Sequence, residues 1–364
     1  MFRKFFVVAA AVTVPLGTVA VVNATAADAV SASRPTVGIK MNPYSPAVGH
    51  AYRHGVVPTR EQWAKMSAYT AIHHSVTTNP TGPFAYQGGI SGEGVTSGQP
   101  KVYLVFWGSM NQWGAKTVDG NGNYHFSKDT DGAAPYIQQL LKGLGTGGEQ
   151  WSGTMTQYCD GSSATTGSTT CSSSANHVGY PTSGTLAGVW FPGGFEYGSV
   201  SQAQIAGQAV KAAKHFGNLT AASNRYVQYD ILSAPGLDPD HYKTNGFCAW
   251  HDWTSSTYGN LAYTNMPYLM DVGHSCGAGS VNSPGTLDGY SIVAGHEYAE
   301  TLTDQFPSFG WLDTAGYENG DICAWISSGQ GAAANVSTGT GSFAMQSTWS
   351  NDTNECDISH VIVP

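Results

Sequence analysis

The sequence predicts an α/β fold: a single domain with a mixed central sheet flanked by helices, a zincin-like active-site helix and disulfide-stabilised loops. Three observations predict it. Strand-like and helix-like patterns alternate from residue 100 onward, one helical segment contains the run HEYAE, and the chain of 364 residues has six cysteines. Alternating strands and helices are typical of a sheet that is covered by helices.

The individual elements follow from their apolar patterns. Apolar runs bounded by turn residues predict strands at 101–108, 186–194, 225–235 and 266–273. Amphipathic patterns predict helices at 59–74, 133–144, 201–217 and 286–305. The helix at 201–217 is the clearest, because Ser201 stands at its N-cap and Gly217 just past its end.

The N-terminus has the pattern of an export signal. Arg3 and Lys4 precede an apolar run, and Ala24-Thr25-Ala26 offers a small-residue cleavage site. We therefore expect a signal peptide at 1–26, a pro-segment or N-terminal arm at 27–85 and the main domain at 86–364. The expected protein is secreted and extracellular, with no membrane attachment after cleavage. An uncleaved membrane anchor is the alternative interpretation of the apolar run.

Composition excludes one class of function. The net charge is −9 at pH 7, and the region after the signal has no cluster of Lys and Arg. Nucleic-acid binding depends on such clusters, so we expect no nucleic-acid partner.

The six cysteines predict disulfides, because an even count in an exported chain is typical of a disulfide framework. Neighbours along the chain would pair as Cys159–Cys171, Cys248–Cys276 and Cys323–Cys356. A thiolate metal site is the alternative, and no C-x-x-C spacing supports it.

The segment HEYAE at 296–300 predicts a metal site. On a helix, His296 and Glu300 lie on one face, one turn apart. In H-E-x-x-H metallopeptidases the glutamate that follows the first histidine handles the attacking water, which makes Glu297 the candidate catalytic base. A solvated helix face is the alternative, but the apolar run YSIVAG before His296 favours a buried helix.

The third ligand is expected shortly after this helix. Glu318 is the candidate, and Asp321 would orient His296 from behind as carboxylates do at many metal sites. Asp313 is a reserve ligand. Three of the chain's eight glutamates fall between 297 and 318, which favours a functional cluster.

Other patterns compete with this site. GHSCG at 273–277 matches the nucleophile elbow with Ser275 as nucleophile, but no helical pattern follows it. His251 and His274 flank the 248–276 cysteine pair and could line a cleft. DGNGNYHF at 119–126 begins like a calcium loop, yet its spacing favours a hairpin turn.

Three segments resemble the phosphate-induced protein 1 or Exordium-like family: FCAWHDW (247–253), the run 283–313 and GYENGDICAW (316–325). The resemblance covers roughly 100–325 and implies a secreted, wall-associated protein. The plant members have no established enzymatic activity and generally lack the His-Glu-x-x-Glu cluster. The resemblance therefore implies fold and secretion and leaves catalysis open.

Together these features predict a secreted zinc-dependent hydrolase, a metallopeptidase that acts on polypeptide or cell-wall substrates as a monomer. Zn²⁺ would be bound by His296, Glu300 and Glu318. The alternative is a non-catalytic, Exordium-like cell-wall or carbohydrate-binding protein, in which the acidic cluster is structural or binds Ca²⁺.

Overall fold

The computed structural model describes residues 42–73, 84–161, 166, 172, 175–194 and 199–364. The predicted signal peptide, the linker around 74–83 and Cys171 lie outside the described residues. All described residues fall within one compact unit.

The described strands are short, and most contain two to eight residues. They are β1 (His54–Pro58), β2 (Ala85–Tyr86), β3 (Lys101–Trp107), β4 (Lys116–Val118), β5 (Tyr124–Phe126), β6 (Leu186–Trp190), β7 (Val227–Ser233), β8 (Phe247–Ser256), β9 (Gly259–Met266), β10 (Trp311–Leu312), β11 (Ala334–Thr338), β12 (Gly341–Met345), β13 (Thr348–Ser350) and β14 (Glu355–Asp357).

The described helices include four longer than ten residues. They are α1 (Arg60–His73), α2 (Met110–Trp113), α3 (Ala133–Gly143), α4 (Gln202–Phe216), α5 (Ala221–Asn224), α6 (Tyr242–Asn245) and α7 (Asp288–Thr303).

Six strands form the central mixed sheet, in the order β1-β8-β9-β7-β3-β6. Strands β6, β3, β7 and β9 run parallel to one another, whereas β8 is antiparallel to β9 and β1 is antiparallel to β8. The predicted α/β class with a mixed sheet flanked by helices is confirmed.

The two faces of the sheet carry different helices. Tyr229 and Tyr263 point to the face covered by α4, where Gln202 Nε2 donates to the Tyr263 hydroxyl. Successive side chains of a strand point to opposite faces. Asp230 and Thr264 therefore face the other side of the sheet, where α7 lies.

Most predicted elements have counterparts with shifted ends. Strand β6 ends at Trp190, because Pro192 and Gly193 follow. The strand predicted at 266–273 is wrong: β9 ends at Met266, and 3-10 turns occupy Leu269–Asp271 and Gly273–Cys276. Pro267 has no N–H group with which to continue the ladder.

Two of the hairpins in the described chain, β4–β5 and β8–β9, bear on the predictions from the sequence. Residues 116–126 form the hairpin β4–β5, as predicted for the DGNGNYHF segment, and Asp119 accepts hydrogen bonds from the backbone of Asn121 and Asn123. Strands β8 and β9 form a long hairpin that the sequence analysis did not predict. The second strand of this hairpin begins at Gly259, whose φ of +97° is rarely adopted by residues other than glycine.

Two of the predicted disulfides are confirmed, Cys248–Cys276 and Cys323–Cys356, with Cα atoms 5.7 Å apart in each pair. The partner predicted for Cys159 lies outside the described residues. Within the described ranges, every helix is too short or too polar to cross a membrane.

Candidate metal centre

Helix α7 holds the HEYAE segment inside the protein. All sixteen of its residues are buried, including His296 and Glu300, which have no exposed surface. Asp288 anchors its first turn, because its carboxylate accepts hydrogen bonds from the backbone N–H groups of Val281 and Asn282. The alternative of a solvated helix face is therefore wrong, and the favoured buried helix is confirmed, since these polar side chains point into the interior.

The chain turns back to the same place after α7. Asp304 accepts hydrogen bonds from the backbone N–H groups of Ser308, Phe309 and Gly310, which closes a tight loop. Strand β10 then pairs with β2, and the loop that follows carries Glu318. A 3-10 turn at Asp321–Cys323 leads into the Cys323–Cys356 disulfide, which fixes the far end of the loop.

Strand β8 contributes a second histidine. His251 pairs with Thr264 of β9, so its imidazole points to the α7 face of the sheet. Its side chain is fully buried. From the sequence, His251 is expected only to line a cleft, with no role as a ligand. The signal that could have identified it is a lone histidine within the apolar and aromatic run FCAWHDW.

Glu300 lies at the centre of the cluster. Its Oε1 is 3.0 Å from His296 Nε2, and its Oε2 is 3.6 Å from His251 Nε2. Glu318 Oε2 is 2.9 Å from His251 Nε2, and Asp321 Oδ1 is 3.8 Å from His296 Nε2. Two groups of three ligand atoms result, His251–Glu300–Glu318 and His296–Glu300–Asp321, each with its atoms within 4.8 Å of one another.

The structure places the three predicted ligands in one cluster but divides them between the two groups: Glu318 lies with His251, His296 lies with Asp321, and Glu300 belongs to both. Asp321 has another position than the one predicted for it. It faces Nε2 of His296, whereas the oxygen at the opposite ring nitrogen, Nδ1, is Gln346 Oε1 at 3.2 Å. Asp313 stays apart, because its carboxylate accepts hydrogen bonds from the backbone of Ala315 and Tyr317.

The contacts of Gln346 define the state of the His296 ring. The amide nitrogen of Gln346 donates to the carbonyls of Gly320 and Ser347, which orients its Oε1 as the acceptor toward His296. The proton of neutral His296 is then on Nδ1, and the lone pair of Nε2 points to Glu300. His296 Nε2 has no hydrogen-bond partner among the described residues. A lone pair that faces a carboxyl oxygen at 3.0 Å is stabilised either by a proton on the carboxyl group or by a metal cation between the two atoms.

The cluster combines several acids with little compensating positive charge. Among the described residues, the ion pairs of Glu300, Glu318 and Asp321 are all formed with histidines. Burial raises the pKa of each of these carboxyls well above its usual value, and for Glu318 and Asp321 the neighbouring Glu300 raises it further.

Burial shifts the pKa values of the two histidines in the opposite direction. Burial lowers the pKa of His251 to about 3 and also lowers the pKa of His296. Both imidazoles are therefore neutral near pH 7, which is the form that binds metal ions.

Glu297 belongs to neither group of ligands and is 1% exposed. Neither of its carboxylate oxygens has a hydrogen-bond partner in the described part of the chain. Burial and the charges of Glu300 and Glu318 raise its pKa well above the usual value. It is a buried, unpartnered carboxyl beside the cluster.

A cavity of about 210 Å³ reaches the cluster from one side. Glu318 and Asp321 line it together with His54 and Tyr317. Much of the lining, His54 included, comes from residues between Asn42 and Met66, which belong to the predicted pro-segment or arm. Strand β1 from that segment is the edge strand of the central sheet.

The competing motif has a different environment. Ser275 lies in a 3-10 turn, its hydroxyl donates to Glu61 Oε1, and its neighbour Cys276 is in a disulfide. Neither a strand directly before it nor an α-helix directly after it provides the elbow geometry.

Comparisons with protein-family models, curated proteins and solved structures give no match for this chain. The resemblance to the Exordium-like family therefore stays a prediction from the sequence.

Proposed function

We propose that this protein is a secreted zinc-dependent hydrolase, a metallopeptidase whose centre is built on α7, β8 and the loop after α7. The observation that carries the proposal is the convergence of two neutral, buried imidazoles with Glu300, Glu318 and Asp321. Zinc is bound in proteins by nitrogen and carboxylate ligands of this kind. Secretion rests on the export pattern of residues 1–26 and fits the two disulfides.

A zinc ion would supply two things here, a lowered pKa for a bound water and polarisation of the scissile carbonyl. His296, Glu300 and Glu318 are the ligands expected from the sequence. By their distances, His251 groups with Glu300 and Glu318, and Asp321 groups with Glu300 and His296. Gln346 holds the His296 ring in the tautomer that leaves Nε2 free to bind.

Glu297 would act as the general base. Its unpartnered oxygens are available to accept a proton from the attacking water and to pass it to the leaving amine. Burial and the neighbouring carboxyl groups raise its pKa well above the usual value, which makes it a stronger proton acceptor than an exposed glutamate. The 210 Å³ cavity provides the route for the substrate to Glu318 and Asp321.

The first test is the substitution Glu297→Gln in the secreted chain. We expect the rate of casein or peptide cleavage to fall by about 10²–10⁴-fold, the range of general-base catalysis. Zinc content, measured by elemental analysis, should not change, because Glu297 belongs to neither group of ligands. The matched control is Glu355→Gln, which alters an exposed glutamate in β14 and should leave cleavage unchanged. Full cleavage by the Glu297→Gln chain would refute the mechanism.

One observation favours a second candidate. The cluster is deeply buried, and structural zinc sites are closed in this way whereas catalytic sites keep a position open. A non-catalytic, wall-associated binding protein with a structural ion would hold metal and cleave neither peptides nor polysaccharides. Its stability would depend on the metal in the same way, so cleavage is the property that separates the two candidates.

A further inference from the structure

We propose that the centre holds two divalent metal ions, bridged by the carboxylate of Glu300. This inference rests on the proposed metal centre and goes beyond it. One ion would be bound by His251, Glu318 and Glu300 Oε2. The other would be bound by His296, Asp321 and Glu300 Oε1.

The distances divide the cluster in two. The two oxygens of Glu300 face different partners, Oε1 toward His296 and Oε2 toward His251. With bonds of about 2.0–2.1 Å, two ligand atoms on one tetrahedral zinc lie about 3.3 Å apart. The separations are 2.9 and 3.6 Å around His251 and 3.0 and 3.8 Å around His296, so each group has the size of a separate site.

Unpartnered atoms occur on both sides of Glu300. His296 Nε2 and Glu300 Oε2 are fully buried and have no hydrogen-bond partner among the described residues. The first atom belongs to one proposed site and the second to the other. An ion on one side alone would leave the other atom unsatisfied, at the cost that burial imposes on an unpaired polar group.

Each group also has a glycine beside it. A Cβ on Gly55, whose φ is +49°, would lie 1.8 Å from Glu300 Oε2 and 2.7 Å from His251 Nε2. A Cβ on Gly320 would lie 2.9 Å from Glu300 Oε1 and 3.0 Å from His296 Nδ1. The missing side chains leave room at both ends of the Glu300 carboxylate, where any other residue would crowd the ligands.

The charges agree with two ions. Glu297, Glu300, Glu318 and Asp321 would contribute four negative charges when ionised, and the ion pairs of the last three are all formed with histidines among the described residues. Two divalent cations balance four carboxylates, whereas one leaves a net charge of about −2 in a buried cluster, which is strongly unfavourable. Pairs of ions about 3.5–4 Å apart occur in aminopeptidases and phosphatases, where they stabilise the attacking and leaving groups together. Of these two chemistries, hydrolysis of a peptide amide agrees with the proposed function.

Metal stoichiometry tests the inference. The full secreted chain is stripped with a chelator, titrated with Zn²⁺ and separately with Co²⁺, and analysed for bound metal. We expect two ions per chain, and in the cobalt form a weaker EPR signal after the second equivalent because the bridge couples the two spins. One ion per chain would overturn the two-ion inference and leave the proposed hydrolase intact. No bound ion would overturn both.

Two substitutions assign the sites. Asp321→Asn should lower the stoichiometry from two to one by weakening the His296 site, and Glu318→Gln should do the same at the His251 site. Asp313→Asn is the matched control: it alters a nearby buried carboxylate outside both groups and should keep two ions. Two tightly bound ions in both site variants would overturn the assignment. Should a variant fail to fold, the titration of the unmodified chain still decides the number of ions.

Discussion

The two longest helices of the described chain, α4 and α7, cover opposite faces of the same sheet. The charged side chains of α4 are exposed to solvent, whereas those of α7 are buried. Helix α4 buries a stripe of small and apolar residues, including Ile205 and Ala209, and leaves Lys211 and Lys214 in solvent. Helix α7 buries every residue, including His296, Glu297 and Glu300. Water solvates the charges of α4, whereas Glu297 and Glu300 of α7 are buried beside histidines and further carboxyl groups.

This difference distinguishes a helix that only covers the sheet from a helix that carries a proposed site. A helix that only covers one face of a sheet is most stable when an apolar stripe packs on the sheet and polar residues on its opposite side are exposed to solvent. A helix that buries three ionisable groups side by side is destabilised unless something else compensates for them. The α4 face therefore has the ordinary packing of the domain, and the α7 face carries the proposed metal centre.

Removal of metal should produce the largest effect and should act on the α7 face alone. An ion present at a thousand times its dissociation constant stabilises the fold by about 4 kcal/mol. We expect a chelator to lower the melting temperature by about 10 °C, as measured by scanning calorimetry, and added zinc to restore it. The Glu300→Gln chain, which lacks the bridging carboxylate, should respond much less. If a chelator leaves the melting temperature of the unmodified chain unchanged, the buried acids of α7 are not stabilised by a metal ion, and the proposed difference between the two helices is wrong.

The helices illustrate how far sequence reasoning could go. Helix α4 was predicted almost to the residue, because its apolar spacing, Ser201 and Gly217 are local signals. His296 and Glu300 were also brought into contact, since a helical turn is local as well.

What sequence reasoning missed depends on pairing between distant strands. His251 reaches Glu300 only because β8 pairs with β9 in one register, and a shift by one residue would turn its imidazole to the α4 face. Gly55 is near the cluster because β1 joins the sheet at its edge, almost 200 residues from its partner strand in sequence. No local pattern encodes such contacts.

A second prediction concerns the strand side of the α7 face. Asp230 in β7 is buried, and burial raises its pKa to about 7, well above the unfolded value of 3.8. Its folded pKa is higher than its unfolded pKa, so its favourable contribution is complete below pH 3.8 and is lost as pH rises through 7. Asp230→Asn should therefore raise the free energy of unfolding by about 4 kcal/mol at pH 8 relative to the unmodified chain.

The pH dependence provides the check on that prediction. Urea unfolding at a series of pH values should show the gain from Asp230→Asn shrinking toward zero between pH 7 and pH 4. Glu355→Gln, an exposed change in β14, should follow the unmodified chain throughout. A gain that stays constant with pH would mean that the substitution acts through packing and not through the ionisation of Asp230.

The smallest effect should come from the wet side of α4. Gln204 Oε1 accepts a hydrogen bond of 2.8 Å from the backbone N–H of Ser201 at the start of the helix. Gln204→Ala removes this bond, but water can reach the exposed N–H group, and alanine has the higher helix propensity. We expect a loss of at most about 0.5 kcal/mol, a fall of about 2 °C or less in melting temperature, and no change in bound zinc or in cleavage. A loss of zinc from this variant would show that the two faces of the sheet are coupled, because α4 contributes no ligand and lies across the sheet from the metal centre.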